Sequence, residues 1–326
     1  MAWLVRRIAA SIAIVFAVVT ITFFLIRLAH GKPFIPGGDQ AVDPAVIAVL
    51  EEQYGADKPS HIQYIAFLRQ LTRGNLGQSF ALQRPVADAL AEAIPNTLIL
   101  TGAALLLDFL LGLGLGVYQA LRVNRLPDVV LGNTTLFIYS FPTFWLGLIL
   151  LLVFGEWLHW FPIGGKTDPV LCPAVDSFRC TLDLMHHLVL PALTLGVVGA
   201  AGTARFQRAA MLEVARQDFI RTARAKGAPE RRVVLRHQLR NALLTFITRF
   251  GLAFPFLLTG AVLTETIFAW PGMGRIATEA ILRRDYPVVT AVALVASAMV
   301  VAGNLVADLL LAAADPRLRS ASADVT

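Results

Sequence analysis

Long runs of apolar residues alternate with shorter polar stretches along this chain. Crossing about 30 Å of hydrocarbon takes around 20 residues of helix, and residues 8–26 contain no ionisable side chain. This first run is longer than the apolar core of a secretory signal peptide, and no convincing cleavage site follows it, so we interpret it as a retained span. Further runs predict spans at residues 96–121, 130–154, 188–204, 242–268 and 287–311.

The distribution of Arg and Lys predicts the orientation of these spans. Sixteen basic residues fall in the N-terminus, the turn at 122–129, the loop at 205–241 and the C-terminal tail, whereas the short loops at 155–187 and 269–286 hold two and three. Basic residues concentrate on the cytoplasmic side of membrane proteins. The predicted fold class is therefore an all-α polytopic membrane protein with six transmembrane helices and cytoplasmic N- and C-termini.

The segment between the first two spans is too long for a simple connection. Helical patterns begin near Pro44 and near Ser60, which we predict as an N-cap. The pattern leaves open whether this segment caps the outer face for function or only packs there. The predicted organisation is a first transmembrane helix at 1–28, an extracytoplasmic helical segment at 29–95, a five-helix core at 96–311 and a cytoplasmic tail at 312–326.

Composition agrees with a membrane protein and argues against a soluble enzyme. Apolar residues make up 56% of the 326 residues and charged residues 15%, against roughly 25% charged residues in an ordinary soluble domain. The net charge is +6, and the loop at 205–241 alone holds ten basic and three acidic residues. A basic patch can bind nucleic acid or anionic lipid. We interpret this one as setting topology and contacting protein, and we expect no nucleic-acid partner.

The sequence offers little for catalysis or metal binding. Gly165-Lys166-Thr167 looks like the end of a phosphate-binding loop, but the pattern requires glycine where Trp160 stands. A zinc-protease motif is absent as well, and we expect no metal site. Cys172 and Cys180 lie in a loop predicted outside the cytoplasm, where a disulfide can persist. The spacing leaves a bridge and two free thiols as open alternatives.

The most informative part of the basic loop is residues 218–227. Asp218 is predicted to cap the N-terminus of a short helix, and Gly227 to close it in a left-handed conformation. Eight residues between these caps span about 12 Å, which is too short for a helix that is stable alone. An apolar stripe of Phe219, Ile220 and Ala223 with a basic rim suits docking into a groove on another protein.

The stretch Arg221-Thr222-Ala223-Arg224-Ala225-Lys226-Gly227 resembles a cytoplasmic loop of the permeases of binding-protein-dependent ABC importers, in the dipeptide, oligopeptide and nickel branch. The general loop reads Glu-Ala-Ala-x3-Gly, so Arg221 and Thr222 depart from it in the way that this branch does. The resemblance covers nearly the whole chain. Further matching stretches are GNLGQS (74–79), RPV (84–86), FPTFWLG (141–147), LPALTL (190–195), ETIFAWPGMG (265–274), RDYPV (284–288) and DPR (315–317).

The resemblance implies a membrane-spanning subunit of an ATP-driven importer that forms half of a pathway for short peptides. It implies a prokaryotic inner or plasma membrane location, a second homologous permease, two ATPase subunits that bind ATP and Mg²⁺, and an extracytoplasmic substrate-binding protein. No cofactor is expected in this chain, which would not be an enzyme itself. The residues implied in ATPase coupling are Asp218, Phe219, Arg221, Thr222, Ala223, Lys226 and Gly227.

Alternatives remain for the cargo and for the class of transporter. Members of this branch also carry nickel chelates or glutathione. An ion-coupled secondary transporter is a further alternative, which should show inverted repeats with broken helices, and we find no convincing repeat. Ionisable residues at membrane depth usually face protein or water. The candidates for the translocation pathway are Glu265, Arg249, Asp108 and Asp308.

Overall fold

The computed structural model describes residues 2–28, 58–170, 172, 178–243 and 262–314. The N-terminal half contains α1 (Ala2–Leu28), α2 (Ser60–Leu71), α3 (Val86–Leu121), α4 (Leu126–Tyr139) and α5 (Thr143–Leu150), which continues as a π-helix over Leu151–Trp157. The C-terminal half contains α6 (Phe178–Ala215), α7 (Asp218–Ala225), α8 (Glu230–Arg232), which continues as a π-helix over Val233–Leu239, then α9 (Val262–Ile267), α10 (Met273–Leu282) and α11 (Tyr286–Ala314).

Within these described ranges, four stretches of helix are long and apolar enough to cross a membrane. They are Arg6–Leu28, Val86–Leu121, Phe178–Ala215 and Tyr286–Val306. They overlap the predicted first, second, fourth and sixth spans, and the second and fourth helices are longer than predicted. Most of the predicted fifth span, at 242–268, lies outside the described residues. The count of six spans and the orientation of the termini therefore stay predictions.

The predicted third span differs from the straight helix that its apolar run suggests. Leu126–Tyr139 and Thr143–Trp157 together meet the requirements for one span, but they are bent by 99° at the break between them. Pro142, with φ −60° and ψ 126°, lies at this break. Proline lacks a backbone N–H and disfavours a helical residue before it. Hydropathy therefore finds the run but misses its bend.

The described residues divide into two compact units, and one of them contains residues up to 98 together with 262–266 and 270–301. In this first unit α2 packs on α1, where the Tyr64 and Thr20 hydroxyls lie 2.7 Å apart. The prediction that Ser60 caps α2 is wrong by one position, because Ser60 is the first helical residue and Pro59 precedes it. The core of the unit is formed by Val86, Leu90, Ala93, Met273, Ala280, Val288 and Ala291.

The second unit contains residues 99–243 as far as they are described, together with 267–269 and 302–314. In it α3 approaches α6 through small residues. A Cβ added to Gly112 would lie 2.6 Å from the Thr203 side chain, and one added to Gly116 would lie 2.6 Å from the Ala204 carbonyl oxygen. Such residues let transmembrane helices pack closely. A Cβ added to Gly114, which lies between Gly112 and Gly116 in the sequence, would meet nothing within 4 Å.

Candidate functional site

The segment at 218–227 forms the predicted short helix, but its N-terminal cap differs from the prediction. α7 begins at Asp218, and the extended Gln217 precedes it without a side-chain hydrogen bond. Asp218 is thus the first helical residue, where its negative charge still interacts favourably with the helix dipole. At the other end Gly227 has φ +76°, and its N–H donates to the Arg224 carbonyl oxygen at 2.9 Å. The left-handed closure predicted for Gly227 is present.

One apolar side chain holds α7 against its own subunit. Ile220 is 0% exposed, whereas Phe219 is 44% exposed and Ala223 is half-buried. The predicted apolar stripe therefore divides, with Ile220 turned inward and Phe219 turned to the surface. The other residues predicted to contact an ATPase lie at the surface too: Asp218, Arg221, Thr222, Lys226 and Gly227. We call α7 with its closing turn at 226–227 the coupling knob.

The chain that follows the coupling knob is fixed by polar and apolar contacts. The Arg224 guanidinium donates to both carboxylate oxygens of Glu230, at 3.1 and 2.7 Å. This hydrogen bond lowers the pKa of the Glu230 carboxyl. Deeper in the second unit, the Gln238 amide donates to the Met211 carbonyl oxygen at 2.9 Å. Met211 belongs to a buried apolar cluster that is formed by Ala120, Ala210, Met211, Val234 and Ala242.

A bidentate ion pair joins α4 to α6 beside this cluster. Arg208 Nε and Nη2 donate to the two carboxylate oxygens of Asp128 at 2.7 and 2.8 Å. The Asn124 N–H donates to the same carboxylate at 2.9 Å, and Asp128 is only 4% exposed. Sequence reasoning missed this pair because 80 residues separate its members. The one available signal was an acidic residue in a turn whose other charges are basic.

Glu265, a predicted pathway residue, is the centre of a buried hydrogen-bond network in the first unit. Its side chain is 0% exposed. Its carboxylate accepts from the Thr97 hydroxyl at 2.8 Å and from the Arg275 N–H at 3.0 Å. A Cβ on Gly272 would overlap this carboxylate, which explains the glycine in the Trp270-Pro271-Gly272 turn. The geometry gives Glu265 a role in holding the loop, and contact with a substrate stays a prediction.

A second buried carboxylate in this unit explains why two of the matching stretches occur together. Asp285 accepts from the Ser79 hydroxyl at 2.6 Å and from the Ala81 N–H at 2.9 Å. Gly77, at φ +89°, lies close to Pro287. The stretches at 74–79 and 284–288 are therefore two halves of one packed structure.

Two of the remaining pathway candidates lie among the described residues of the second unit. Asp108 lies on α3, where a Cβ added to Gly199 of α6 would overlap its side chain. Asp308 lies half-buried in α11, and Arg249 lies outside the described residues. Cys172 and Cys180 form a disulfide bond. Among the described residues, no three His, Cys, Asp or Glu side chains converge in a way that could hold a metal ion.

The apolar helices of the described residues define a polytopic helical membrane protein. The family described as "Binding-protein-dependent transport system inner membrane component" matches residues 112–320. A second family model, described as "Binding-prot-dependent transport system membrane comp, N-term", matches residues 1–101. The chain belongs to the inner membrane component family and is a multi-pass protein of the bacterial inner membrane.

Similar proteins of known name cover almost the whole chain. The di/tripeptide transport system permease protein DppB of Pseudomonas aeruginosa (strain UCBPP-PA14) is 42% identical, over 98% of this chain and 99% of the relative. The oligopeptide transport system permease protein AppB of Bacillus subtilis (strain 168) is 37% identical, over 97% and 99%. A chain of the methionine ABC transporter MetNI, solved in inward-facing conformations, shares the fold with a TM-score of 0.50 and 18% identity, over 69% of this chain and 96% of that chain.

Proposed function

We propose that this chain is one of two membrane-spanning subunits of an ATP-driven importer for short peptides, and that the coupling knob docks on a separate ATPase subunit. The observation that carries the proposal is the knob itself, an eight-residue helix anchored by the buried Ile220 while its charged residues face outward. The identity to relatives named for di/tripeptide and oligopeptide transport supports the substrate class.

In this proposal the chain has six spans, and the knob faces the cytoplasm together with both termini. The partners are a second homologous permease, two ATPase subunits that bind ATP and Mg²⁺, and an extracytoplasmic protein that delivers the peptide. ATP binding shifts the permease pair between inward- and outward-facing states only as far as the ATPases prefer one of those states. The docked knob would transmit that preference as a rigid-body displacement.

Cross-linking tests the docking. A photo-reactive residue is placed at Arg221, on the exposed face of the knob, and in a second variant at Trp157, which is 67% exposed but belongs to the loop predicted on the other side of the membrane. In cells that express all the subunits, we expect an ATPase adduct from position 221 and none from position 157. An ATPase adduct from 157, or none from 221, would contradict the proposal.

Transport into proteoliposomes tests the energy source and the cargo. Vesicles that contain all the subunits should accumulate a labelled dipeptide when ATP is supplied and the ion gradients are dissipated. Uptake that follows an ion gradient without ATP would favour a secondary transporter. Uptake of glutathione or of a nickel chelate in place of the dipeptide would keep the importer and change its substrate.

A further inference from the structure

We propose that Asp128 and Arg208 are positioning residues, whose bidentate pair makes the turn between α3 and α4 move together with the helices that carry the coupling knob. This inference rests on the proposed function. It assigns a role in energy coupling to two residues that lie outside the coupling knob and are 80 residues apart in the sequence.

The geometry of the pair fixes both position and direction. Two parallel N–H to oxygen bonds of 2.7 and 2.8 Å join the guanidinium to the carboxylate, and such a fork specifies orientation as well as distance. The N–H of Asn124, whose φ is +62°, donates to the same carboxylate at 2.9 Å. Asp128 therefore ties the turn to its own helix and, through Arg208, to α6.

Contacts within the second unit run without a gap from this pair to the knob. Arg208 lies on α6 less than one turn from Met211, whose carbonyl oxygen accepts from Gln238 of the second π-helix. α7 packs against that π-helix, with Ile220 fully buried. The C-terminal end of α3 contributes Ala120 to the buried cluster that contains Met211. Packed elements of this kind can carry energetic coupling between distant sites when they shift together.

The burial of the two partners differs, and this difference sets the design of the variants. The Arg208 side chain is 31% exposed and Asp128 is 4% exposed. Removing the arginine would leave a buried, uncompensated carboxylate, which is strongly destabilising. Asp128→Asn is the milder change, since it leaves a neutral side chain of the same shape. Arg208→Lys keeps the charge but loses the planar fork.

The experiment measures transported peptide per ATP hydrolysed in proteoliposomes that contain the complete importer. We expect Asp128→Asn to lower this ratio by between about 2- and 30-fold, the range over which residues remote from both sites alter coupling, while the ATPase subunits still co-purify. Arg208→Lys should lower it less. The charge-reversed double variant Asp128→Arg/Arg208→Asp should recover part of the loss that either reversed single variant shows.

Glu92→Gln is the matched control. It removes a second bidentate pair, with Arg84, whose oxygens lie 2.9 and 2.8 Å from the guanidinium nitrogens but whose side chains are 38% and 65% exposed. Exposed pairs contribute little, so the ratio should stay unchanged.

An unchanged ratio in assembled Asp128→Asn importer overturns the inference, as does a loss confined to the amount of complex. If Asp128→Asn does not assemble, Arg208→Lys takes its place under the same criterion. The cross-link from position 221 separates the two levels of the argument. With that adduct present and the ratio unchanged, only the positioning role fails; without the adduct, the proposed function fails.

Discussion

Ile220 is the residue on which the coupling knob depends most directly, and Ile220→Ala tests this. An isolated helix of eight residues is not stable in water, so the folded knob requires its contacts with the rest of the subunit. Ile220 is its only fully buried side chain among the described residues of α7. Replacing a buried isoleucine by alanine destabilises a protein by about 2–5 kcal/mol.

This cost applies to the free energy of local opening of the coupling knob, because Phe219, the other large apolar side chain of α7, is 44% exposed. Each 1.4 kcal/mol or so changes an equilibrium constant about tenfold. The lower limit of about 2 kcal/mol therefore raises the population of the open knob roughly 30-fold. The assay is amide hydrogen exchange of the purified subunit in nanodiscs, read on peptides that cover residues 218–227. Exchange there should accelerate at least about 30-fold, up to the rate of an unstructured peptide.

Two further variants make this measurement decisive. Ile220→Val should give a smaller acceleration, since Ile→Val substitutions cost about 0.5–1.5 kcal/mol. Phe219→Ala is the matched control next in sequence, and its effect should stay within about 0.5 kcal/mol because surface substitutions rarely exceed that. If Ile220→Ala left exchange unchanged, or if Phe219→Ala accelerated it equally, the assignment of Ile220 as the anchor would be refuted.

Three other predictions follow from the same contacts. Gly227→Val forces a β-branched residue to φ > 0, at a cost of about 1–2 kcal/mol, so peptide-stimulated ATPase activity should fall; normal transport by this variant would count against the reasoning. Glu265→Gln places an amide donor among groups that donate to the carboxylate, so thermal unfolding should show a loss of about 1–3 kcal/mol. Glu279→Gln, at a side chain that is 42% exposed and paired with Arg275, should show a smaller loss. The Glu230 carboxyl has a lowered pKa because Arg224 donates to it, so the stability that this ion pair contributes is present above the unfolded-state pKa and is lost as pH falls through the folded-state pKa. This contribution should stay below about 1 kcal/mol, since the pair is exposed. Exchange rates measured over a pH series, in the parent protein and in Glu230→Gln, check it.

The sequence predicted elements best where one local property decides the structure. Apolar runs long enough for a bilayer locate the four long helices, because hydrocarbon leaves the backbone few alternatives to a helix. Gly227 ends α7 as predicted, because a left-handed residue at a helix end is a local requirement. The caps assigned to Asp218 and Ser60 each miss by one residue, because neighbouring backbone geometry chooses between adjacent candidates.

The roles of the charged residues could not be predicted in the same way. Glu265 is a pathway candidate by its position in the sequence, yet its carboxylate holds a turn through Thr97 and the Arg275 N–H. Asp128 stood out as an acidic residue in a basic turn, but nothing in the sequence indicated that Arg208 would be its partner. Such contacts depend on which faces of distant helices are packed together, and no local pattern records this.

The amino-acid sequence alone determined that the chain crosses a membrane several times, that one loop concentrates its positive charge, and that this loop holds a short capped helix. These properties follow from hydropathy, charge and turn chemistry, which act over neighbouring residues. Only the tertiary structure decided that Ile220 faces inward while Phe219 faces outward, that the third apolar run is bent by 99°, and that Ser79 meets Asp285. The physical reason is that burial and hydrogen bonding between distant segments depend on the packing of helices, which the order of residues specifies only through the folded chain as a whole.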